Sequence, residues 1–572
     1  MLRTLNLTTQ KTATHPIDPS ILNSYLGGLG LATRLMADQK DLDVPALDPR
    51  APLIVTTGSL NATGFPGANR ACFFGISPLT RIFAGSWLGG EFSTAFSRTG
   101  SMALLLEGKA ASPSIVLLHE NGTELIPRPE LWGKSVSQTR EILKKEYKDA
   151  EVAVIGVAGE RLVSFACIRG NEGHSAGRCG LGAVLGSKNV KAILVAGKSR
   201  PSIKNPSPLK QITREAMQAI RNSKFLKETQ GPIGTPSLTE MVNDFHALPT
   251  GNFQERHFQT AYKIYGTRIA QEYVTRRTTC AHCPVRCRGH VRLAGQEIEA
   301  PEYETICLFG SNNLIDDYPL IVQANQLCND LGLDTISAGN AIAFYRENAG
   351  SLNDPSNVLE LICNIAHREG EGNFLAKGVL LSQLESKGDC AMHVKGLELA
   401  GYDPRKLTGM AISYSTANRG GCHSRAWTVA DEVNDPDMSA QQLAELVAKY
   451  HDLGCVKDSI VTCTFLDGDI RSFYAPALNA VLGTSLDFTK LRVTGERIYT
   501  LERMLNIRRG VTAASDTLPK RILAGMVSLE KYSQGMMIYY ALRDWDQQGR
   551  PRLAKIRELG LDFTQGWFTA AE

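Results

Sequence analysis

Three cysteines stand within eight residues of one another near the middle of this 572-residue chain. The spacing of Cys280, Cys283 and Cys287 lets one loop present three sulfur atoms to a single inorganic centre. Structural zinc sites usually draw on two paired half-sites, but the sequence has no second Cys-x-x-Cys motif and no histidine pair at the expected distance. Three close thiolates plus a distant one are typical of a four-iron cluster. The spacing therefore favours a 4Fe-4S cluster, with zinc and coincidental cysteines as the alternatives.

The fourth ligand cannot be found from spacing. Cys307, Cys328, Cys455 and Cys463 all compete for that role, and the ordinary interpretation of each is a small buried hydrophobic residue. The chain has 13 cysteines, an odd number without a disulfide-like rhythm. In so long a chain they indicate reduced thiols plus one cluster site, as in cytoplasmic proteins.

The composition and charge argue against several classes of partner. The formal net charge of +4 is too small for this length to indicate nucleic-acid or membrane binding. The first residues lack the basic and long apolar segments of a signal peptide, and the longest apolar runs are too short to cross a bilayer. We therefore predict a soluble cytoplasmic protein that binds neither nucleic acid nor membranes.

The predicted secondary structure that must position the cysteines changes from strands to helices near residue 200. Before it, buried strands are predicted at Leu53–Thr57, Ala103–Leu106, Ser114–Leu118, Val152–Ile155 and Ala192–Val195. A polar, proline-rich connector at 198–208 follows, and a second break falls near 401–405. Beyond the connector, apolar residues at three- and four-residue spacing predict helices at Leu209–Arg221, Pro319–Asp330, Thr335–Glu347, Val358–Arg368, Ala440–Tyr450, Leu501–Arg509 and Leu529–Arg543.

These elements predict an α+β fold with three domains. Residues 1–200 are expected to form a β-rich domain, and residues 201–400 and 401–572 two mainly α-helical domains. Between two helices of the second domain, Gly332 suits a helix C-terminal cap, and Asp334 or Thr335 suits the next N-cap. The segment 332–337 is therefore predicted to be a tight bend whose polar groups face one point.

Seven stretches in register over the whole chain resemble one family, the aldehyde:ferredoxin oxidoreductases. They are Gly27-Gly28-x-Gly30-Leu31-Ala32, the glycine-rich segment 177–188, the cysteine triplet, the Pro-Glu-Tyr-Glu-Thr motif at 301–305, and the segments 332–337, 418–423 and 458–463. The resemblance implies a β-rich base domain beneath a tungsten (or molybdenum) bis-pyranopterin, closed over by two helical domains. It also implies a 4Fe-4S cluster, Mg²⁺ as a candidate ion bridging the pterin phosphates, an aldehyde substrate, ferredoxin or an iron–sulfur subunit as electron acceptor, and a homo-oligomer.

The resemblance also assigns cofactor contacts to residues of this chain. It selects Cys463 as the fourth cluster ligand. A pterin edge is rich in N–H donors, which carboxylates accept in pairs, and phosphates suit cations and exposed backbone N–H groups. The pterin contacts implied are Asn329, Leu333, Asp334, Asp458 and Thr462, and the phosphate contacts are Arg70, Gly89, Gly90, Arg178, Gly180, Leu181 and Gly182. On helix pattern alone, Asp334 would be interpreted as an N-cap.

Aldehyde oxidation adds an oxygen from water and removes two electrons, so the protein must supply a proton acceptor and a group that polarises the carbonyl. The resemblance implies Glu304 as the general base and His423 as the hydrogen-bond donor. If it is buried near an apolar pocket, Glu304 is expected to have a raised pKa. Without the resemblance, Glu302 and Glu304 would be interpreted as an exposed strand face and His423 as a loop histidine.

The sequence departs from the family pattern in three places. Asn329 replaces a frequent aspartate, Val461-Thr462 replaces a Gly-Leu pair, and Trp87 stands where a small polar residue is common. Two other functions remain open: a low-potential reductase subunit of the benzoyl-coenzyme A type, and an iron–sulfur electron-transfer protein without a pterin. Metal analysis distinguishes the last of these, because iron without tungsten or molybdenum would mean that no catalytic centre is present.

We expect the substitution Cys283→Ser to abolish the visible absorbance of the iron–sulfur cluster, because a hydroxyl is a harder and weaker ligand for iron than a thiolate. Iron content and the absorbance spectrum of anaerobically purified protein measure this effect. An unchanged iron content would contradict the ligand assignment.

Overall fold

The computed structural model describes residues 1–280, 282–386 and 389–568, so that the last four residues of the predicted third domain lie outside the described part. Two six-stranded sheets form the first third of the chain. The first sheet contains β1 Leu2–Asn6, β2 Thr12–His15, β3 Leu53–Thr57, β4 Ala71–Ile76, β5 Phe83–Leu88 and β6 Ala103–Glu107, in the order β2-β1-β6-β3-β4-β5. The second contains β7 Ser114–His119, β8 Gly122–Pro127, β9 Glu151–Ile155, β10 Ile168–Arg169, β11 Ser175–Ala176 and β12 Val190–Ala196, in the order β11-β10-β9-β12-β7-β8.

Each large sheet is mixed, with one parallel pair, β1 with β6 and β7 with β12. Alternate residues of the strands point to opposite faces. Leu53 and Val55 of β3 share one core with Ile193 and Val195 of β12, which packs the two sheets face to face. Ile54 belongs instead to the large core under the helices. Both faces of β3 are therefore buried, which explains why its sequence is continuously apolar.

Two smaller sheets follow. β13 Val274–Thr278, β14 Arg288–Leu293 and β15 Gln296–Glu299 form a three-stranded antiparallel sheet, and β16 His393–Val394 pairs with β17 Leu397–Glu398. The connection from β13 to β14 is the segment that carries the three clustered cysteines. The hairpin thus holds the two ends of the cysteine loop together.

Helices account for most of the remaining chain. The helices within the described residues are α1 Pro19–Tyr25, α2 Gly28–Ala37, α3 Phe92–Ser97, α4 Val136–Glu146, α5 Val157–Glu160, α6 Leu181–Ser187, α7 Pro206–Asn222, α8 Leu238–Asp244, α9 Gly266–Glu272, α10 Tyr303–Thr305, α11 Tyr318–Leu331, α12 Thr335–Asn348, α13 Val358–His367, α14 Glu371–Leu375, α15 Val379–Ser386, α16 Thr408–Thr416, α17 Val429–Asn434, α18 Ala440–Ile460, α19 Asp467–Ile470, α20 Tyr474–Leu482, α21 Phe488–Arg508, α22 Lys520–Ala524, α23 Leu529–Leu542 and α24 Leu553–Glu558. Among them, none combines the length and the apolar character that a bilayer crossing requires.

Helix α18 lies at the centre of the helical region and packs against α2, α16, α21 and α23. A buried polar network ties it to α23. Arg543 pairs with Asp452, and the Tyr539 hydroxyl lies 2.8 Å from Nδ1 of His451. Because each of these polar side chains has a partner, the network is compatible with burial.

The structure confirms the predicted order of strands followed by helices, and the α+β class. The helix predicted at Ala440–Tyr450 is too short, because α18 continues to Ile460, and the helix predicted at Leu501–Arg509 is the last part of α21. The residues between His451 and Ile460 are buried on all sides of α18. A helix buried all round lacks the polar face on which the periodicity signal depends.

Candidate functional site

The loop between β13 and β14 carries three cysteines, and the chain just beyond α18 brings a fourth thiol to them. The backbone N–H of Cys463 donates to the Gly67 carbonyl over 3.0 Å. Burial raises the pKa of Cys287, and the nearby thiols of Cys463, Cys280 and Cys283 raise it further. All four thiols are half-buried. The structure therefore brings the four predicted cysteines together.

The cysteines that competed with Cys463 have other surroundings. Cys455 accepts a hydrogen bond from Arg425 over 3.1 Å, and Cys307 accepts one from the Ser311 hydroxyl over 3.7 Å. Cys328 is buried within α11. Across the described ranges, no three His, Cys, Asp or Glu side chains surround a single ion position.

Arg70 lies between the thiols and an acidic side chain. Its Nη2 is 3.6 Å from Sγ of Cys463. Burial alone would lower the pKa of Arg70, but Cys463, Cys280 and Asp458 outweigh that effect and raise it. The predicted phosphate contact is therefore a half-buried cation beside the thiols.

His174 is a residue that the sequence did not single out. Its Nε2 lies 3.7 Å from Sγ of Cys280. Burial, helped by the positive charges of neighbouring arginines, lowers the pKa of His174 to about 2. The ring covers two predicted cofactor-loop glycines, because a methyl group added to Gly89 or Gly90 would lie 2.5 or 2.7 Å from it. His174 precedes its partner Cys280 by 106 residues, so no local sequence motif connects the two.

The bend between α11 and α12 forms as predicted. Gly332 ends α11 in the left-handed conformation at φ 80°, and Asp334 caps α12 by accepting from the backbone N–H of Ile336 and of Ser337. Oδ2 of Asp334 also accepts from the Ser337 hydroxyl over 2.7 Å and lies 3.5 Å from Nε of Arg178. The N-cap interpretation is confirmed, and the same carboxylate also faces a buried cation.

Two backbone carbonyls from later in the chain also hold Arg178. Its Nη1 donates to the Gly421 carbonyl over 3.1 Å and its Nη2 to the Glu398 carbonyl over 2.7 Å. Nε is buried without a hydrogen-bond partner in the described structure. An N–H donor left over in a buried cation is a group that a ligand oxygen could satisfy.

The other two residues predicted for this bend lie close in sequence to Asp334. Leu333 is buried, and its backbone forms an isolated bridge with Ala166. Asn329 lies in the last turn of α11 and is half-buried, and its side chain makes no hydrogen bond to any described residue. Its amide is free to bind a ligand, but it lacks the charge of the family's usual aspartate.

Asp458 belongs to the last turns of α18 and is also paired with cations. Its Oδ2 lies 3.2 Å from Nε of Arg425 and its Oδ1 3.6 Å from Nζ of Lys457. Trp87 donates from Nε1 to the Asp458 carbonyl over 3.4 Å, so this departure from the family pattern borders the same site. Thr462 is directed elsewhere, since its hydroxyl donates to the Tyr474 hydroxyl over 2.9 Å.

The glycine-rich stretch 180–182 makes close contacts with the protein's own backbone. A methyl group on Gly180 would lie 1.8 Å from the Ser164 carbonyl oxygen, and one on Gly182 would lie 2.4 Å from that of Cys167. Leu181 begins α6 and is fully buried. These residues therefore pack α6 against the neighbouring loop, a role that differs from the direct phosphate contact expected from the sequence.

Glu304 and His423 face each other in a buried site. Oε1 of Glu304 lies 3.5 Å from Nδ1 of His423, and among the described residues neither atom has a hydrogen-bond partner. Oε2 accepts from the Gly401 N–H over 2.8 Å. Burial raises the pKa of Glu304 to about 7 and, with nearby cations, lowers that of His423 to about 3.

The alternative interpretation of Glu302 and Glu304 as an exposed strand face is wrong about the strand, and it holds for exposure only at Glu302, since Glu304 is half-buried. Residues Tyr303–Thr305 form the short helix α10, which continues into a wide turn at Ile306–Gly310. The helix buries Tyr303 and directs Glu304 inward. Burial of a carboxyl with one N–H donor shifts its pKa far more than a surface position would.

These groups together fit a large anionic ligand with a polar edge. Arg178 and Asp334 both affect the pKa of Glu304. The bend at Asp334, the Arg178 guanidinium group and the pair of Glu304 and His423 therefore lie in one region. The buried atoms without a hydrogen-bond partner among the described residues occur in several parts of the chain, and in this region they include atoms of Arg178, Glu304, His423 and Asn418. Such atoms are rare in native proteins unless a ligand or water satisfies them. The residues present therefore suit a bound pterin cofactor.

Two family models cover nearly all of the chain. The model described as aldehyde ferredoxin oxidoreductase, N-terminal domain, matches residues 2–197, and the model described as domains 2 and 3 of the same enzyme matches residues 211–561. The fold and these matches define an oxidoreductase. The chain belongs to the aldehyde ferredoxin oxidoreductase family. Membership of this family implies a tungsten pterin cofactor.

Individual relatives agree with this assignment. The tungsten-containing aldehyde ferredoxin oxidoreductase of Pyrococcus furiosus is 34% identical over 596 residues, covering 97% of this chain and 98% of that protein. Its counterpart from Thermococcus kodakarensis is 33% identical over 593 residues, covering 97% and 98%. An aliphatic sulfonate oxidoreductase, WOR-like subunit, of Pyrococcus furiosus is 26% identical over 619 residues, covering 97% and 96%.

A solved structure shares the fold. It is the active site complex BamBC of benzoyl coenzyme A reductase in complex with 1,5-dienoyl-CoA, with a TM-score of 0.87 and 20% sequence identity. The match covers 100% of this chain and 99% of that one. At this level of identity the likeness extends to the fold.

The close packing at Gly180 leads to a stability prediction. Gly180→Ala should destabilise strongly, because the added methyl group meets the backbone of Ser164 and because φ is 70°. Gly133→Ala is the matched control: φ there is 82°, but nothing lies within 4 Å of the added methyl group. The control should lose only the ~1–2 kcal/mol of a left-handed non-glycine residue. Equal thermal midpoints for the two variants would contradict the packing role.

Proposed function

We propose that this protein is a tungsten- or molybdenum-pterin oxidoreductase that oxidises aldehydes to carboxylic acids. Aldehyde and water would give the acid, two electrons and two protons. When bound, a metal pterin would supply the two-electron acceptor. Cys280, Cys283, Cys287 and Cys463 would hold a 4Fe-4S cluster, which would supply one-electron transfer to ferredoxin or a related iron–sulfur carrier. Asp334 and Asp458 would hold the pterin, and Arg70 would lie beside both groups.

The observation that carries the proposal is the buried pair of Glu304 and His423. A base works best when its pKa lies near the operating pH, and the pKa of Glu304 is raised to about 7 by burial. At neutral pH a substantial fraction of Glu304 is therefore ionised and able to accept a proton from water. That proton is one of the two that the reaction releases.

His423 would respond to the proton that Glu304 accepts. The pKa of His423 is lowered to about 3 by burial and nearby cations, so the ring is neutral. Once protonated, Oε1 of Glu304 can donate to Nδ1 of His423, 3.5 Å away. A neutral ring that accepts at Nδ1 carries its hydrogen on Nε2. Nε2–H would then donate to the substrate oxygen as negative charge develops there.

The charges around the remaining carboxylates explain why Glu304 rather than Asp334 is proposed as the base. Asp334 accepts three hydrogen bonds from Ile336 and Ser337 and faces a buried guanidinium group. The Asp334 carboxylate is therefore already occupied by partners within the protein. Glu304 accepts a single backbone hydrogen bond at Oε2.

We expect Glu304→Gln to retain tungsten or molybdenum and iron while losing ~10²–10⁴-fold in kcat, because general-base catalysis typically supplies that factor. Glu432→Gln is the matched control. Burial also raises the pKa of Glu432 to about 7, but its carboxylate accepts from the backbone N–H groups of Gly409 and Met410. The control should lower stability and leave kcat nearly unchanged. Near-normal turnover by Glu304→Gln, with both metals present, would rule out the proposed base.

The pH dependence of kcat/KM should follow the ionisation of Glu304. Its pKa is raised from 4.5 to about 7, so the active ionised form increases as pH rises through 7 and reaches a plateau above it. Well below 7 the rate should fall about tenfold per pH unit, as expected for one essential base. Initial rates with one aldehyde from pH 5.5 to 8.5 would measure this. A flat profile across that range, with stable protein, would contradict the assignment.

A further inference from the structure

His174 lies where the N-terminal sheets meet the cysteine loop, and the proposed mechanism does not use it. The residue sits in the short connection between β10 and β11. Its carbonyl accepts from the Gly170 N–H over 2.8 Å and its N–H donates to the Asn171 carbonyl over 3.2 Å. These two backbone contacts fix the position of the residue, and the ring rests on Gly89 and Gly90.

The side chain is directed at one thiol. Nε2 of His174 lies 3.7 Å from Sγ of Cys280, a distance at which a ring N–H can donate to sulfur. His290 on β14, another histidine close to the cysteine loop, pairs its Nε2 with the Thr278 hydroxyl at 3.1 Å. His174 therefore differs from its neighbour in having a sulfur partner.

We infer that His174 is a positioning residue that donates a hydrogen bond from Nε2 to the Cys280 sulfur and so raises the reduction potential of the cluster. The inference rests on the proposed function, in which Cys280 is a cluster ligand. A thiolate bound to iron has no proton, so it can only accept, and the hydrogen must lie on Nε2. A donor stabilises the more negative, reduced cluster more than the oxidised one. Hydrogen bonds to the sulfurs are among the factors that set such potentials.

The same ring separates the thiol from solvent. A surface groove of about 440 Å³ reaches His174 and is also lined by Gly90, Asn171 and Lys144. A small side chain at position 174 would open the groove toward Cys280, and solvent exposure by itself shifts the potential. A test of the hydrogen bond must therefore keep the volume of the ring while removing the N–H.

The experiment is a redox titration of the purified holoenzyme followed by the EPR signal of the reduced cluster. His174→Phe keeps a ring and loses the donor, whereas His174→Gln keeps an N–H donor. For His174→Phe we expect full iron content and an approximately tenfold lower equilibrium constant for cluster reduction, which is a shift of about 59 mV to more negative potential for one electron. His174→Gln should recover most of that shift, and His290→Phe should leave the potential unchanged.

Equal potentials for wild type and His174→Phe, at full iron content, would overturn the inference while leaving the cluster assignment intact. Wild-type protein without iron would instead contradict the proposed function. A measurement on the wild type does not depend on whether the variants fold. With histidine labelled by nitrogen-15, pulsed EPR should detect a weak nitrogen coupling to the reduced cluster, and its absence would also overturn the inference.

Discussion

The close approach of the N-terminal glycine turns to the end of α18 is the constraint on which the site depends. A methyl group on Gly28 would lie 2.6 Å from the carbonyl oxygens of Asp458 and Ser459, and one on Gly58 would lie 2.6 Å from that of Ile460. The Gly30 N–H donates to the Ser459 hydroxyl over 3.0 Å. Only backbone without side chains fits this contact, and it brings the sheet region against the helix end that carries an acid and a thiol.

That contact determines which groups meet. Cys463 follows α18 directly and is held by the carbonyl of Gly67, in the loop before β4. Arg70, three residues later, then lies beside the same thiol. A shift of the helix end would therefore displace an acid, a thiol and a cation together. The N-terminal region supports the site and also contacts the thiols directly, through Arg70 and through His174.

Desolvation separates the roles of carboxylates that lie in one region. Asp334 is buried yet well supplied with N–H donors and a cation, whereas Glu304 has one backbone donor and a neutral histidine beside it. With a single backbone donor against the cost of burial, Glu304 has its pKa raised to about 7 and is able to exchange a proton near neutral pH. Glu432 shows that a raised pKa alone does not make a site, because its carboxylate is fully used in binding the backbone N–H groups at the start of α16.

The sequence by itself determined the local elements, the caps at Gly332 and Asp334, and the family, because strand and helix patterns and short motifs are properties of neighbouring residues. Its boundary for α18 was wrong where residues 451–460 are buried all round, since no polar face remains to mark that stretch. The start of α21 at Phe488, which keeps exposed residues, was also missed. The family resemblance named Cys463, Glu304 and His423, but only the tertiary structure shows their contacts: Cys463 joins the triplet, and Glu304 points inward at His423. The contact of His174 with Cys280 came from the tertiary structure alone. Each of these contacts joins residues more than 90 positions apart, and such pairings arise from the packing of whole elements, which no local pattern records.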